Sequence, residues 1–389
     1  MRMKVFFPIL SCLLLVISCK ETHEITNSNY EINIDKVTYL DSINISTIYK
    51  DAHVIYLDTA SHAMISEISK LVVYDDKIII LDKKARRQIL VFNKSGEYLY
   101  SIGKMGLGPG EYTYICDFTY SSKDNLLFIL DSQTRKIHKY QLNTGKYLNT
   151  ITCEHSCYHL HYYDGKLFVD HPSLHHKLPS SYLLEEINVN SGEKLNSYIS
   201  PDDYNKGFDN PLSNFGGPFL LSNQDQFKYS LFFAQVVFTY ENEEIKPYLT
   251  LNSDEWMQSK DIAGIDVDED PIGVMKIFQK NKYFEISRYI ENDKFIFFKI
   301  NKGFHNRYIF LNKNGEKAFM FGKLKENLIF DDINFSFLKL EYGANDTTGS
   351  YYYLSPDKAD ILLKKYYQEN PFFKKSAKNF NGAIVFYEY

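Results

Sequence analysis

Two stretches of this 389-residue chain repeat one plan. The first reads Ile79-Ile80-Leu81-Asp82, then Ile89-Leu90-Val91-Phe92, then Gly96-Glu97-Tyr98-Leu99. The second reads Phe128-Ile129-Leu130-Asp131, then Ile137-His138-Lys139-Tyr140, then Gly145-Lys146-Tyr147-Leu148. Asp82 and Asp131 lie 49 residues apart. A period of that length marks an array of like supersecondary units, none able to bury its apolar surface alone.

The first unit divides into strands at Ile68–Tyr74, Ile78–Leu81, Ile89–Phe92 and Tyr98–Ile102. The separators, Asp75-Asp76 and Asn93-Lys94-Ser95-Gly96 among them, carry tight-turn chemistry. Four short strands joined by turns have the content of one propeller blade. A second unit spans about Tyr112–Ile151, and a third begins near Tyr158 with an inserted loop before Leu183–Val189. A fourth holds Phe227–Phe233, Gln235–Tyr240 and Ile245–Leu251; a fifth holds Tyr283–Tyr289, Phe295–Ile300, Arg307–Leu311 and Ala318–Phe321. The sixth is broken into Phe335–Leu340, Tyr351–Leu354 and Ala383–Tyr387. Helical insertions are expected at Ser253–Gln279 and from Ser355-Pro356 to about Glu369. The expected fold is all-β: a six-bladed β-propeller of four-stranded antiparallel blades, closed by Val54–Leu57 beside Ala383–Tyr387. A β-sandwich or solenoid is the alternative. With 32 Tyr and 29 Phe the chain suits pleated surfaces, and its net charge of -5 argues against a nucleic-acid partner.

The N-terminus reads as a targeting segment: Arg2 and Lys4 precede an apolar run from Val5 to Ile17. Val16-Ile17-Ser18-Cys19 resembles the lipobox of bacterial lipoproteins, which implies cleavage before Cys19 and lipid on its thiol. Lys20-Glu21-Thr22-His23-Glu24 resembles the surface-export signal of Bacteroidetes lipoproteins. The organisation expected is a signal peptide over 1–18, a lipidated tether and lead-in over 19–50, and the propeller over 51–389. The location expected is the cell envelope, as an outer-membrane lipoprotein facing the periplasm or the surface.

The units resemble NHL-like propellers, and in particular the six-bladed β-propeller lipoproteins of Bacteroidetes. The resemblance rests on Ile80-Leu81-Asp82, on Val91 to Glu97, and on Ile102-Gly103-Lys104-Met105-Gly106-Leu107-Gly108-Pro109-Gly110-Glu111-Tyr112. It implies a lipid-anchored envelope protein and supplies no catalytic residues.

Gly106, Gly108, Pro109, Gly110, Glu111 and Tyr112 could be taken for a phosphate loop, but a helix should follow such a loop and here a strand does. An inter-blade crossover is the better reading, with Glu111 and Tyr112 near the channel or its mouth. Cys153, Cys157, His159 and His161 are the densest group of ligand-type residues, with His155 nearby. Alternation puts Cys157, His159 and His161 on one strand face as metal or ligand candidates, although the spacing of structural zinc modules is absent. Cys153 and Cys157 are close enough for a disulfide if the turn brings them together, whereas Cys116 reads as a buried small residue. His171, His175 and His176 form a second group on the inserted loop. Asp266 to Asp270 begins like a calcium loop, but Pro271 stands where Gly is needed and Ile277 stands at position 12. No cofactor is expected, with Zn or Ca as the lesser alternative. Tyr351–Tyr353 and Tyr366-Tyr367 could stack on sugars, although strand burial explains most of them. The repeated aspartates read as turn formers. The function expected is binding or scaffolding of an envelope protein, peptide or glycan at one face of the ring. The alternative is a lyase or hydrolase at the same face.

Overall fold

A computed structural model describes residues 30–59, 64–65, 68–83, 87–171, 182–199, 219–220, 226–262, 271–314, 318–330, 333–334, 343–359 and 381–389. Six blades follow one another. Blade one is Ile68–Tyr74, Lys77–Asp82, Gln88–Asn93 and Tyr98–Ile102, paired antiparallel in that order. Blade two is Ile115–Ser121, Leu126–Asp131, Lys136–Gln141 and Tyr147–Thr152. Blade three is Leu160–Tyr163, Lys166–Asp170, Leu184–Ile187 and Lys194–Tyr198. Blade four has Val236–Glu241 and Glu244–Asn252, with single bridges, Phe219 to Tyr229 and Tyr229 to Phe238, among the described residues on its inner side. Blade five is Tyr283–Glu291, Phe295–Lys302, His305–Asn312 and Phe319–Glu326.

Blade six closes the ring. Its strands Gly343–Asn345, Gly349–Leu354 and Ala383–Glu388 are completed by Asp51–Tyr56, with Ala383 opposite Tyr56 and Glu388 opposite Asp51. The expected closing pair therefore forms. The sandwich and solenoid alternatives give way to a closed ring of six.

The apolar runs explain why the blades stack. Ile78-Ile79-Ile80-Leu81 does not alternate with polar residues because both faces of the strand are covered. Ile78 and Ile80 enter the apolar cluster shared with blade six, while Ile79 and Leu81 enter the one shared with blade two. Six such clusters, one per blade boundary, make up the core.

The lead-in does more than connect. We label its strands β1 (Tyr30–Asn33), β2 (Thr38–Asn44) and β3 (Asp51–Tyr56). β1 adds a parallel strand outside blade four, Tyr30 opposite Leu249. β2 adds one outside blade five, Thr38 opposite Phe319, and β3 completes blade six. The chain thus straps the outer edges of three blades before it begins blade one. Ile32, Ile34, Ile45, Ile48 and Tyr49 of this strap are buried.

In the insertion between blades four and five, Ser259–Ile262 and Pro271–Gln279 are helical. Trp256 is fully buried there and donates its indole N–H to the Phe233 carbonyl at 2.7 Å. Residues 356–359 form the first turn of the helix expected after Ser355. The strand expected at Phe335–Leu340, the acidic run Asp266–Asp270, His175, His176 and Tyr366-Tyr367 lie outside the described residues. Ile277, at the final position of the supposed calcium loop, packs in the core between blades four and five. Among the described residues no helix is long and apolar enough to cross a membrane.

Candidate functional site

Each blade's second strand ends where the crossover from the preceding blade arrives, so both meet at one face of the ring. The repeated aspartates stand at that meeting. Asp131 accepts the Thr113 N–H at 2.7 Å, the Thr113 hydroxyl at 2.9 Å and the Thr134 N–H at 3.2 Å. Asp170 accepts the His159 N–H at 2.6 Å and the Tyr158 N–H at 3.2 Å. Both tie the start of an inner strand to the end of its neighbour. Burial would raise the Asp131 carboxyl, but these donors outweigh it and hold it below its usual range. Asp82 is fully buried at the equivalent place in blade one. These side chains are fasteners of the fold.

The crossover Gly103–Tyr114 is built in the same way. Glu111 turns back on its own loop, accepting the Gly108 N–H at 2.9 Å and pairing with Lys104 at 3.0 Å. Tyr112 is fully buried between blades one and two, not at the channel mouth. Tyr140 donates its hydroxyl to the Gly110 carbonyl at 2.6 Å. Gly110 has φ +71°, and a Cβ there would meet the Tyr147 ring at 2.6 Å. Gly110→Val is expected to cost about 1–3 kcal/mol in backbone strain before any clash is counted. A urea titration that shows no loss of stability would refute this account of the loop.

On the inner side, blades one to three are stapled by charge. Lys70 donates to Asp117 at 2.8 Å and to the Phe118 carbonyl at 2.6 Å. The other Asp117 oxygen accepts the Leu160 N–H at 3.0 Å, and Thr119 Oγ1 accepts the Tyr162 N–H at 3.0 Å. Burial raises the Asp117 carboxyl, yet Lys70, His159 and the Leu160 N–H together hold it low. The sequence signal for this network was a lone charge within an otherwise apolar inner strand.

The third-blade ligand candidates do not converge. His159 turns to Asp170, Nδ1 to Oδ2 at 2.8 Å. Burial would lower its imidazole, but Asp170 and then Asp117 raise it above its usual range. His161 goes the other way, 5.4 Å from the Phe219 ring and 5.7 Å from Phe227. Both its nitrogens are buried without a hydrogen-bond partner, and burial pushes its imidazole down to about 3. Cys157 and Cys153 face each other as free thiols, Sγ to Sγ at 3.9 Å, in one apolar cluster with Cys116. His171 is buried and spans Glu185 at 2.8 Å and the Ser156 carbonyl at 3.0 Å. Among the described residues no three His, Cys, Asp or Glu side chains are placed to hold a metal ion.

A second charged hub, unread in the sequence, lies between blades four and five. Glu291, at the end of blade five's inner strand, takes the Tyr289 hydroxyl at 2.7 Å, the Tyr248 hydroxyl, and Lys313 at 2.5 Å. Lys228 stands 3.6 Å from it and 3.5 Å above the Tyr248 ring.

The crossover face also carries the apolar side chains that the core does not absorb. Leu107 is 90% exposed, Ile272 68%, Met64 60% and Phe304 58%, all on crossovers or on the turn between second and third strands. Met105 and Tyr158 join them. Tyr114, Tyr182 and Met275 lie on crossovers or inserted loops as well, and the others, such as Leu99, Leu148 and Leu195, lie on outer strands. Among the described residues none lies on the opposite face.

The family described as "Domain of unknown function (DUF4934)" matches residues 29–388. No curated protein matches the chain. A Bacteroides fragilis NCTC 9343 protein described as exported superposes with a TM-score of 0.68 at 14% identity, covering 92% of this chain and 98% of its own. A DUF4221 family member from Bacteroides vulgatus ATCC 8482 superposes with a TM-score of 0.50 at 11% identity, covering 87% of this chain and 98% of its own.

Proposed function

Since the chain belongs to the DUF4934 family, whose description names no activity, we propose from its geometry that it is an exported binding propeller taking a protein or peptide partner on its crossover face. The observation that carries this reading is the segregation of exposed Leu107, Ile272, Met64 and Phe304 to that face. Exposed apolar side chains gathered on one face are what interaction sites offer. The three most exposed, Leu107, Ile272 and Met64, are aliphatic or thioether side chains, which suit a protein surface better than a glycan. Export rests on the apolar leader, and Cys19 is the proposed point of lipid attachment to the outer membrane. The likeness to an exported Bacteroides fragilis protein agrees with that placement.

The test is site-specific photocrosslinking in envelope preparations. A crosslinker at Leu107 or Ile272 is expected to trap one and the same partner, and a crosslinker at Leu99 or Leu195 on the outer wall is not. Equal trapping from both sets would remove the crossover face as the docking surface. Leu107→Glu is expected to abolish the specific product without changing the melting temperature.

A further inference from the structure

We infer that Cys153 and Cys157 close into a disulfide by exchange with an organic disulfide, locking the crossover from blade two into blade three. The two sulfurs stand 3.9 Å apart, in contact but unbonded. A disulfide needs about 2.05 Å, and side-chain rotation closes the difference as long as the backbone between the two residues stays in place.

That backbone is clamped along its length. The Cys153 N–H donates to the Arg135 carbonyl at 2.9 Å, and the Arg135 guanidinium donates to the Glu154 carbonyl at 3.1 Å. His171 Nδ1 lies 3.0 Å from the Ser156 carbonyl, and its Nε2 lies 2.8 Å from Glu185 on blade three's third strand. Asp170 accepts the Tyr158 N–H at 3.2 Å and the His159 N–H at 2.6 Å. Arg135 belongs to a turn of blade two, Asp170 and His171 to the end of blade three's second strand. The segment is therefore held from both blades, and the sulfurs stay facing each other. Cys116 shares their apolar cluster but is fixed within blade two's inner strand, Ile115–Ser121. The pair that closes is the one on the clamped segment.

The exchange balances in two steps. One cysteine thiolate attacks a sulfur of the organic disulfide, whose S–S bond breaks and releases a thiolate. The second cysteine gives up its proton and attacks the resulting mixed disulfide, displacing the other half of the oxidant. Two cysteine thiols are oxidised, and one organic disulfide is reduced to two thiols that take up the two protons. Cys153 is 5% exposed and Cys157 fully buried, so a bulky oxidant is kept out of the finished ring and the exchange belongs to folding. The oxidising surroundings rest on the export reading given above, but the pair itself can be tested apart from export.

The chain from Lys20 onward would be reduced and unfolded in urea, then refolded with glutathione and glutathione disulfide. It would be quenched in acid, alkylated in denaturant and digested. The peptide carrying Cys153 and Cys157 is expected two hydrogens light and unalkylated, with Cys116 alkylated. Cys116→Ala is expected to keep the link. The linked protein is expected to melt a few degrees above the same protein treated with dithiothreitol. The double variant Cys153→Ala with Cys157→Ala is expected to melt at one temperature with and without that reductant. Alkylation of all three cysteines after refolding, a link to Cys116, or a linked form that melts below the reduced one would overturn the assignment. A link formed on refolding, beside free thiols in protein taken from the envelope, would support the pair and count against export.

Discussion

A chain beginning at Asp51 is expected not to fold, whereas one beginning at Tyr30 folds cooperatively. Both retain β3 and every blade, so the strap alone distinguishes them. The shorter chain loses the ladders of β1 with Leu249–Asn252 and of β2 with Phe319–Lys325. It also loses the buried side chains of Ile32, Ile34, Ile45, Ile48 and Tyr49. Burying a largely apolar side chain of this size stabilises by about 1.5–3 kcal/mol. Five such losses are on the order of 10 kcal/mol, comparable with the whole stability of a typical domain. Two outer edges would also be left with unpaired backbone groups, which invites aggregation. Tyr49 adds specific contacts, donating to Ser350 at 2.9 Å and stacking on Tyr389 at 5.6 Å. Calorimetric melting of the two chains is the measurement. A cooperative transition at an unchanged temperature in the shorter chain would mean that the strap is an accessory.

Replacing Glu291 is the second large effect. Glu291→Ala leaves Lys228, with a side chain only 7% exposed, facing a vacated acid, and removes the acceptor of two buried tyrosine hydroxyls. Removing one partner of a buried pair costs about 3–5 kcal/mol. The pH dependence has a definite sign. Burial raises the Glu291 carboxyl, but Lys228, Lys313 and Tyr248 outweigh it and hold the folded-state value below the ordinary carboxylate range. The unfolded chain therefore binds this proton more readily than the folded one. The stabilisation is fully present above the ordinary glutamate range and is lost as pH falls towards the depressed folded value. Urea denaturation of wild type and Glu291→Gln should show its widest gap near neutral pH, narrowing below about pH 4 as both side chains become neutral. A gap that is constant down to pH 3 would show that Glu291 acts through shape, not charge.

The repeated pattern was legible and what departs from it was not. Ile78–Leu81 and Ile89–Phe92 could be read as strands covered on both faces because four successive apolar residues suffice to say so. Asn93 to Gly96 could be read as a turn because its bonds are local: Asn93 Oδ1 accepts the Ser95 N–H at 3.0 Å and the Glu97 N–H at 2.9 Å. Blade four was read less well, since its inner side is held by single bridges with little periodic signal. The strap was missed although Ile32 and Ile34 alternate with polar neighbours, because it repeats no unit of the array and closing the ring does not require it.

The candidate sites show the same limit. Alternation placed Cys157, His159 and His161 on one face, yet each took its direction from a different neighbour: Cys153, Asp170 and the blade-four rings. Alternation supplies a side, not a contact.

By itself the sequence determined the four-stranded repeat, the number of units, the pair of segments that closes the ring and the turn chemistry of the aspartates. All of these follow from patterns a few residues long, repeated. Tertiary structure decided the polar partners: Lys70 with Asp117 across 47 residues and Tyr248 with Glu291 across 43. Packing blades side by side brings charges from different repeats into one low-dielectric boundary, where each must find a partner. No local pattern records which partner that will be.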